Sequence, residues 1–357
     1  MHSEKALPHL SASCILFENP DKSIILIDIP RSIEEAQLLP EQAIKRRIIS
    51  SRPAEVPWKT PEPKKGLGQS VSPSAAISEL MTIESVKAAL QEIKHSYEGP
   101  WCLQRVLSNT GEASDDELHH EESRKRKQTS SNIKDVHTTS EPYIPDLSHY
   151  LLGTIESQRG NFLTDAPKFD LIVLDPPWPS RSVKRKRNSY TIAYDMQDVR
   201  NLLNQIPVSS HLKSDGLVAV WVTNKAAVAD LLTSYCGIFS EWGLEFVGEW
   251  IWLKITNSGD PIMDIEAQWR KPWERLLIGR RKGSTSKQSI PTKVVMGVPD
   301  IHSRKPNLRP LFQDMLPENY NGLEIFARNL TTGWWSWGNE VLLFQQKEHW
   351  IETANNE

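Results

Sequence analysis

The sequence predicts an α/β protein whose wound, mostly parallel sheet fills residues 143–350. Three observations carry that prediction. Strand-like runs at 169–174, 217–222, 246–253, 274–278, 323–326 and 341–344 alternate with helical patterns at 195–206, 225–236 and 307–316, the order that a parallel sheet with covering helices produces. The run LIVL at 171–174 is apolar at every position, so it reads as a strand covered on both faces. Eleven of the thirteen tryptophans fall between 178 and 350, which marks the segment that can fill a large core.

Ahead of that domain, residues 1–105 read as a small N-terminal α+β domain with a packing or substrate-binding role. Two strands flank an Asn-Pro-Asp turn within 11–30, and the better of them is 24–29. A Pro-, Lys- and Ser-rich loop covers 52–75. A helix then follows over about 75–97, with Ile77, Leu80, Met81, Ile83, Val86, Leu90 and Ile93 at its apolar positions. Residues 106–142 are polar and poor in aromatics, the composition of a disordered linker, and 351–357 form a short tail.

Composition narrows the function classes. The N-terminus lacks a signal peptide's basic start and apolar run, and no stretch of 18 apolar residues exists, so a soluble intracellular protein with no membrane role is expected. Cys14, Cys102 and Cys236 are too scattered for a disulfide framework or a zinc site. The net charge of −3 hides an uneven distribution: 181–187 holds five basic residues and no acid, and 270–309 holds eleven basic residues against two acids. Such local basicity is a nucleic-acid footprint, although a solvated basic face has the same look. RKRK at 124–127 and KRKR at 184–187 point to nuclear import, with a cytoplasmic pool also compatible.

The chemistry concentrates at 175–178. Asp175 falls where the buried strand ends, and Pro176 and Pro177 stop the ladder because neither can donate a backbone hydrogen bond. Their carbonyls remain acceptors beside the Trp178 ring, at the strand end where open α/β sheets bind ligands. Acceptors holding the protons of an exocyclic amine, with a ring against the base, orient the amine lone pair towards an electrophile. A buried Trp in an acidic turn is the plainer reading. Average composition makes this tetrapeptide roughly a one-in-a-thousand chance event in such a chain, which favours the functional one. Walker, GxGxxG, HExxH and CxxC patterns are all missing, which argues against nucleotide hydrolysis, hydride transfer and zinc hydrolysis.

DPPW at 175–178, VWVTNK at 220–225, EWIWLK at 249–254, KPWE at 271–274, SRKP at 303–306, GLEIFARN at 322–329 and SWGNE at 336–340 together resemble the DPPW family of adenine-N6 methyltransferases. That family is typified by the catalytic subunit of the mRNA m6A writer, and the EIFARNLTTGWWSWGNE tail is most similar to its methyltransferase-like-four branch. The resemblance covers about 145–347, with the blocks in the family's order. It implies a Rossmann-like fold in permuted motif order, with S-adenosyl-L-methionine as methyl donor, S-adenosyl-L-homocysteine as product and no metal.

By the same resemblance, Asp175 touches both the donor ammonium and the target amine, the Pro176 carbonyl takes the second amine proton, and Pro177 completes the stiff turn. Trp178 walls the base. Lys305 pairs with the donor carboxylate, Glu324 and Arg328 hold ribose hydroxyls, and Gly338, Asn339 and Glu340 lie near the donor adenine. From their places at strand ends in the matched blocks, Asn224, Lys254, Trp273 and Glu274 are the expected base contacts, and the basic run Lys184, Arg185, Lys186 and Arg187 beside the site is an expected substrate contact by its charge. Trp221 and Trp252 are expected in the core.

The implied reaction is methylation of adenine N6 in nucleic acid, RNA favoured over DNA, with 2′-O-methyladenosine of a spliceosomal small nuclear RNA as leading substrate. The mobile loops at 180–194 and 257–272 are expected to flank the site. Activity as a monomer, with the N-terminal domain replacing a partner subunit, is expected as well. DNA adenine methylation and a catalytically silent RNA-binding scaffold are the rival readings.

Overall fold

Residues Ile24 to Ile27 are all buried, and this short apolar run inserts the beginning of the chain into the central sheet. The computed structural model describes residues 13–59, 73–107, 141–179, 195–267, 270–286 and 288–353. In chain order the strands are β1 (Ile15–Glu18), β2 (Ile24–Ile27), β3 (Arg46–Ser50), β4 (Val106–Leu107), β5 (His149–Leu152), β6 (Phe169–Leu174) and β7 (Leu212–Val222). They continue with β8 (Leu244–Lys254), β9 (Trp273–Arg281), β10 (Lys293–Gly297), β11 (Gly322–Ile325), β12 (Trp335–Gly338) and β13 (Trp350–Glu352). The helices are α1 (Ile29–Ala36), α2 (Pro73–Ser96), α3 (Ile155–Asp165), α4 (Met196–Asn204), α5 (Val208–His211), α6 (Ala226–Thr233), α7 (Ile238–Glu241) and α8 (Arg309–Phe312).

Ten strands form one mixed sheet in the order β1-β2-β10-β8-β9-β7-β6-β11-β12-β5. From β5 across to β7 every pairing is parallel, β9 runs antiparallel between β7 and β8, and β10 is parallel to both β8 and β2. This mixed α/β arrangement is Rossmann-like. β6, apolar apart from Asp170, lies near its middle, where strands on both edges and layers on both faces bury all six residues.

Side chains alternate across the sheet with period two, which sorts the core into faces. Ile172, Leu174, Val218, Val220 and Leu277 point to the face packed with residues of α3, α4, α6 and α7. Leu171, Val173, Ala219, Trp221, Trp250, Trp252 and Leu276 point to the other, with Ile33, Phe312 and Trp334. Ile83, Val86, Leu90 and Ile93 of α2 cover a third cluster built on Ile251, Leu253, Val294 and Met296. Ile77, Leu80 and Met81, expected on the same apolar stripe, are exposed.

Further expectations change. The boundary at residue 105 does not divide two sheets: β1 and β2 complete the edge of the main one, because β2 finds its partner in β10. β2 stops at Ile27 rather than at 29, since Asp28 caps α1 by accepting from the Arg31 N–H at 2.9 Å. Residues 343–345 form a 3-10 turn instead of a strand, and the last strand of the main sheet in chain order is β12, at 335–338. Within the expected tail, Ile351 and Glu352 pair with β3. The expected linker is described only at 106–107 and 141–142, and RKRK at 124–127 and the loop at 180–194 lie outside the described residues.

Candidate active site

Asp175 follows β6 directly, and its N–H donates to the Ile325 carbonyl of β11 at 3.3 Å, the last backbone link before Pro176 and Pro177. The Trp178 N–H donates to the Pro176 carbonyl at 2.9 Å, closing a tight turn. Its indole Nε1 donates to the Trp221 carbonyl at 2.7 Å, so the ring is fixed against the end of β7. The Pro176 carbonyl keeps its second lone pair for a ligand.

Period-two alternation brings the charged groups to one end of one face. A cleft there is lined by Val173, Asp175, Trp221, Lys305, Glu324 and Arg328, among others. Lys305 Nζ lies 2.7 Å from Glu274 Oε2 and 3.4 Å from Asp175 Oδ1, and Lys254 Nζ holds the other Glu274 oxygen at 2.6 Å. Arg328 approaches Asp175 Oδ2 at 3.7 Å and binds Glu340 Oε2 at 3.0 Å. A chain of alternating charge thus runs Lys254, Glu274, Lys305, Asp175, Arg328, Glu340.

The electrostatics follow from burial and these partners. Burial disfavours the Glu274 carboxylate, yet Lys305 and Lys254 outweigh it and hold the carboxyl at about 2. Burial likewise disfavours the Lys305 ammonium, and Asp175 and Glu274 more than offset it, so Lys305 stays charged. Glu324 has no such rescue. Burial, reinforced by the Asp175 charge, raises it to about 7 against a weaker pull from Arg328 and Lys305.

Among the expected base contacts, Lys254 and Glu274 join this network and Asn224 does not. Its Nδ2 donates to the Trp273 carbonyl at 2.6 Å, tying the end of β7 to the start of β9. Trp273 itself is corrected: it is 3% exposed and packed in the α2 cluster, because one residue along a strand reverses the face on which Glu274 sits. Trp221 and Trp252 are buried, and they also floor the site, with Lys305 Nζ 5.3 and 5.8 Å from their ring centroids. Lys184, Arg185, Lys186 and Arg187 lie outside the described residues.

The basic footprint over 270–309 is also corrected. Arg280, Lys293 and Arg304 are buried, Lys271 and Arg275 pair with Glu79 and Glu249, and Arg309 holds the carbonyls of Glu35 and Leu38. These cations hold elements together instead of forming one exposed patch. Ser303, Phe326 and Asn329 line the cleft too, and were not singled out from sequence. Ser303 and Phe326 have φ of 72° and 62°, a left-handed backbone rare for side-chain-bearing residues and concentrated at functional sites. No residue type announces such a backbone.

Asn339 follows the end of β12, two strands from β6, and its Oδ1 is buried without a hydrogen-bond partner. Gly338 precedes it where a Cβ would stand 3.0 Å from the Ala327 carbonyl oxygen, so the two backbones meet closely. An unfilled acceptor, a half-buried lysine and two acids at neighbouring strand ends suit a ligand carrying an ammonium, a carboxylate, a ribose diol and an adenine amine. The residues therefore fit S-adenosyl-L-methionine.

A Rossmann-like sheet with Asp-Pro-Pro-Trp beside this charged cleft defines a class, the methyltransferases that modify adenine N6. The chain belongs to the MT-A70 family, whose pattern matches residues 169–340. It is 49% identical to the N6-methyladenosine RNA methyltransferase MTA1 of Cryphonectria parasitica, over 96% of this chain and 95% of that protein. The protein of the same name from Pyricularia oryzae is 47% identical, over 94% and 96%. The human N(6)-adenine-specific methyltransferase METTL4 is 32% identical, over 78% of this chain and 58% of its own length. The protein is an adenine-N6 methyltransferase of a family that uses S-adenosyl-L-methionine, and its relatives act on nucleic acid.

Proposed function

We propose that the protein transfers a methyl group to N6 of adenosine in RNA. The observation that carries the reading is Asp175 held between Lys305 and Arg328 in the lining of a cleft whose charges suit the donor. RNA is favoured because the relatives matching nearly the whole chain are named RNA methyltransferases. A Caenorhabditis elegans relative named as a DNA N6-methyl methyltransferase, 36% identical over 57% of this chain, makes DNA the rival substrate.

When bound, the donor supplies a methyl group on a positively charged sulfur, an electrophile that needs no metal. Asp175 and the Pro176 carbonyl accept the two amine protons and aim the lone pair, and Trp178, fixed to Trp221, walls the base. Lys305 pairs with the donor carboxylate, Glu324 and Arg328 meet the ribose diol, and Asn339 offers its unfilled oxygen to the donor adenine. The proton lost from the amine passes to Asp175 and on to solvent. Since N6 is occupied in a duplex, the base enters unpaired.

The permuted motif order is part of this reading. It is supported by β6, with the catalytic tetrapeptide, preceding β11 and β12, which carry the donor residues. 2′-O-methyladenosine of a spliceosomal small nuclear RNA is the more specific substrate within this proposal, and unmodified RNA adenosine is tested beside it. Nuclear location and activity as a monomer belong to the same proposal. Incubation with labelled S-adenosyl-L-methionine and matched oligonucleotides carrying adenosine, 2′-O-methyladenosine or deoxyadenosine tests it. Label on the adenosine oligonucleotide that vanishes in Asp175→Ala is the expected result, and label on the deoxy oligonucleotide alone overturns the RNA reading.

A further inference from the structure

Among the described tryptophans Trp58 alone is exposed, at 45%, and it stands on a segment that the structure ties to the active site. The Lys254 carbonyl at the site accepts from the Ile262 N–H at 2.9 Å, and the Ile262 carbonyl accepts from the Trp58 N–H at 2.7 Å. A second bond, Asn257 N–H to the Ala54 carbonyl at 2.8 Å, fixes the other end of the segment. Two backbone rungs therefore separate Trp58 from Lys254, a spacing of about 10 Å.

The mount is stiff. Pro53 and Pro57 restrict the segment, and the supporting loop is locked at Gly259, whose φ is 82° and where a Cβ would fall 2.4 Å from Trp101. An exposed indole needs a reason when the other described tryptophans are at least partly covered, and a rigid mount argues against a side chain that merely failed to pack. Exposed Arg52 and Lys59 flank it, with Glu55 as the one acid of 51–59. An aromatic face between cations, one ladder away from the reacting end of the sheet, matches the way single-stranded nucleic acid is held, by stacking a base and meeting its phosphates.

We infer that Trp58 is a stacking platform for a nucleotide flanking the target adenine, so the N-terminal segment supplies part of the substrate site. The inference rests on the nucleic-acid reading above but not on the choice of RNA over DNA. Its geometric basis is continuity with the site through Lys254 and Ile262. A base unstacked from its neighbours to reach Asp175 leaves an adjacent base without a partner, and the indole takes that place.

The test measures oligonucleotide affinity by fluorescence anisotropy, with S-adenosyl-L-homocysteine present, together with KM and kcat for transfer. It compares the full-length protein with Trp58→Ala and Trp58→Phe, using RNA and DNA oligonucleotides that are intact or carry an abasic nucleotide at each position beside the target. Trp58→Ala is expected to weaken the intact oligonucleotide about tenfold in Kd and KM, within the ~1–3 kcal/mol range of base–aromatic stacking. Trp58→Phe should retain most of the affinity, kcat and donor affinity should hold, and one abasic oligonucleotide should lose its sensitivity to the substitution. Equal loss on every oligonucleotide, a fall in kcat or donor affinity alone, or no change in Kd each overturns the inference. Transfer to DNA with the same Trp58 dependence would overturn the RNA reading and leave the platform standing. Absence of binding to either nucleic acid by the unaltered protein would sink both.

Discussion

Lys305 Nζ sits 2.7 Å from Glu274 Oε2, although the two residues lie 31 positions apart and come from different elements. Glu274 is also held by Lys254, so one carboxylate holds two ammonium groups, one of them the Lys305 that lines the cleft. Glu274→Gln leaves both lysines without their shared charge partner. Its carboxyl falls from the ordinary 4.5 to about 2 on folding, so its contribution to stability is present above about 4.5 and is lost as pH drops towards 2. The shift corresponds to something on the order of 3 kcal/mol. Thermal melts should show Glu274→Gln well below the unaltered protein at pH 7, with the gap closing below pH 4. A pH-independent gap would reject the assignment.

Asp175 lies between Lys305 and Arg328, at 3.4 and 3.7 Å, and directly precedes the Pro-Pro turn. Asp175→Asn keeps the shape and removes the negative charge that receives the amine proton. Transfer should fall by about 10²–10⁴-fold, the usual span for losing a positioned acid or base. Single-turnover kinetics check this, and an undiminished chemical step would exclude Asp175 from it.

Glu324 behaves in the opposite sense to Glu274. Its folded value of about 7 exceeds the ordinary 4.5, so the folded state binds the proton more tightly than the unfolded one. The group's contribution is complete below about 4.5 and is lost as pH rises through 7. Glu324→Gln, which cannot ionise, should melt higher than the unaltered protein at pH 8 and about level with it at pH 5. Calorimetric titration should at the same time show donor affinity reduced about tenfold at pH 8, where the carboxylate is the better acceptor for a diol. A lower melting temperature at pH 8 would contradict the burial argument.

Arg304 and Asp300 are fully buried, and they join residues 49–51 to the turn that bears Lys305. Arg304 donates to the Ile49 carbonyl at 2.9 Å and pairs with Asp300, which accepts from the Ser51 N–H at 2.8 Å. Arg304→Ala strands a buried carboxylate whose further cation, among the described residues, is Arg105 at 3.8 Å. Denaturant melts should register a loss of about 3–5 kcal/mol. A loss under 1 kcal/mol would mean that Arg105 suffices.

What the sequence determined by itself was local and covalent. An apolar run of four residues, 171–174, followed by Asp-Pro-Pro-Trp is a buried strand that must stop, and β6 ends at Leu174 because two prolines cannot continue a ladder. The motif blocks from 175 to 340 carried the family and the chemistry in the same way, since their spelling is independent of how distant segments meet. Tertiary structure decided which side of a strand faces the ligand. Trp273 and Glu274 are adjacent in the chain and opposite in space, so a one-residue alternation sent the expected base contact into the core and left its neighbour between two lysines. It also decided where charge goes: a count of basic residues over 270–309 does not reveal that Arg280, Lys293 and Arg304 are buried. The strand partner of β2 was equally hidden, because β10 lies about 270 residues further along and only a shared sheet brings them together. Charge pairing, face and sheet order are relations between distant residues, and those exist only once the chain has closed on itself.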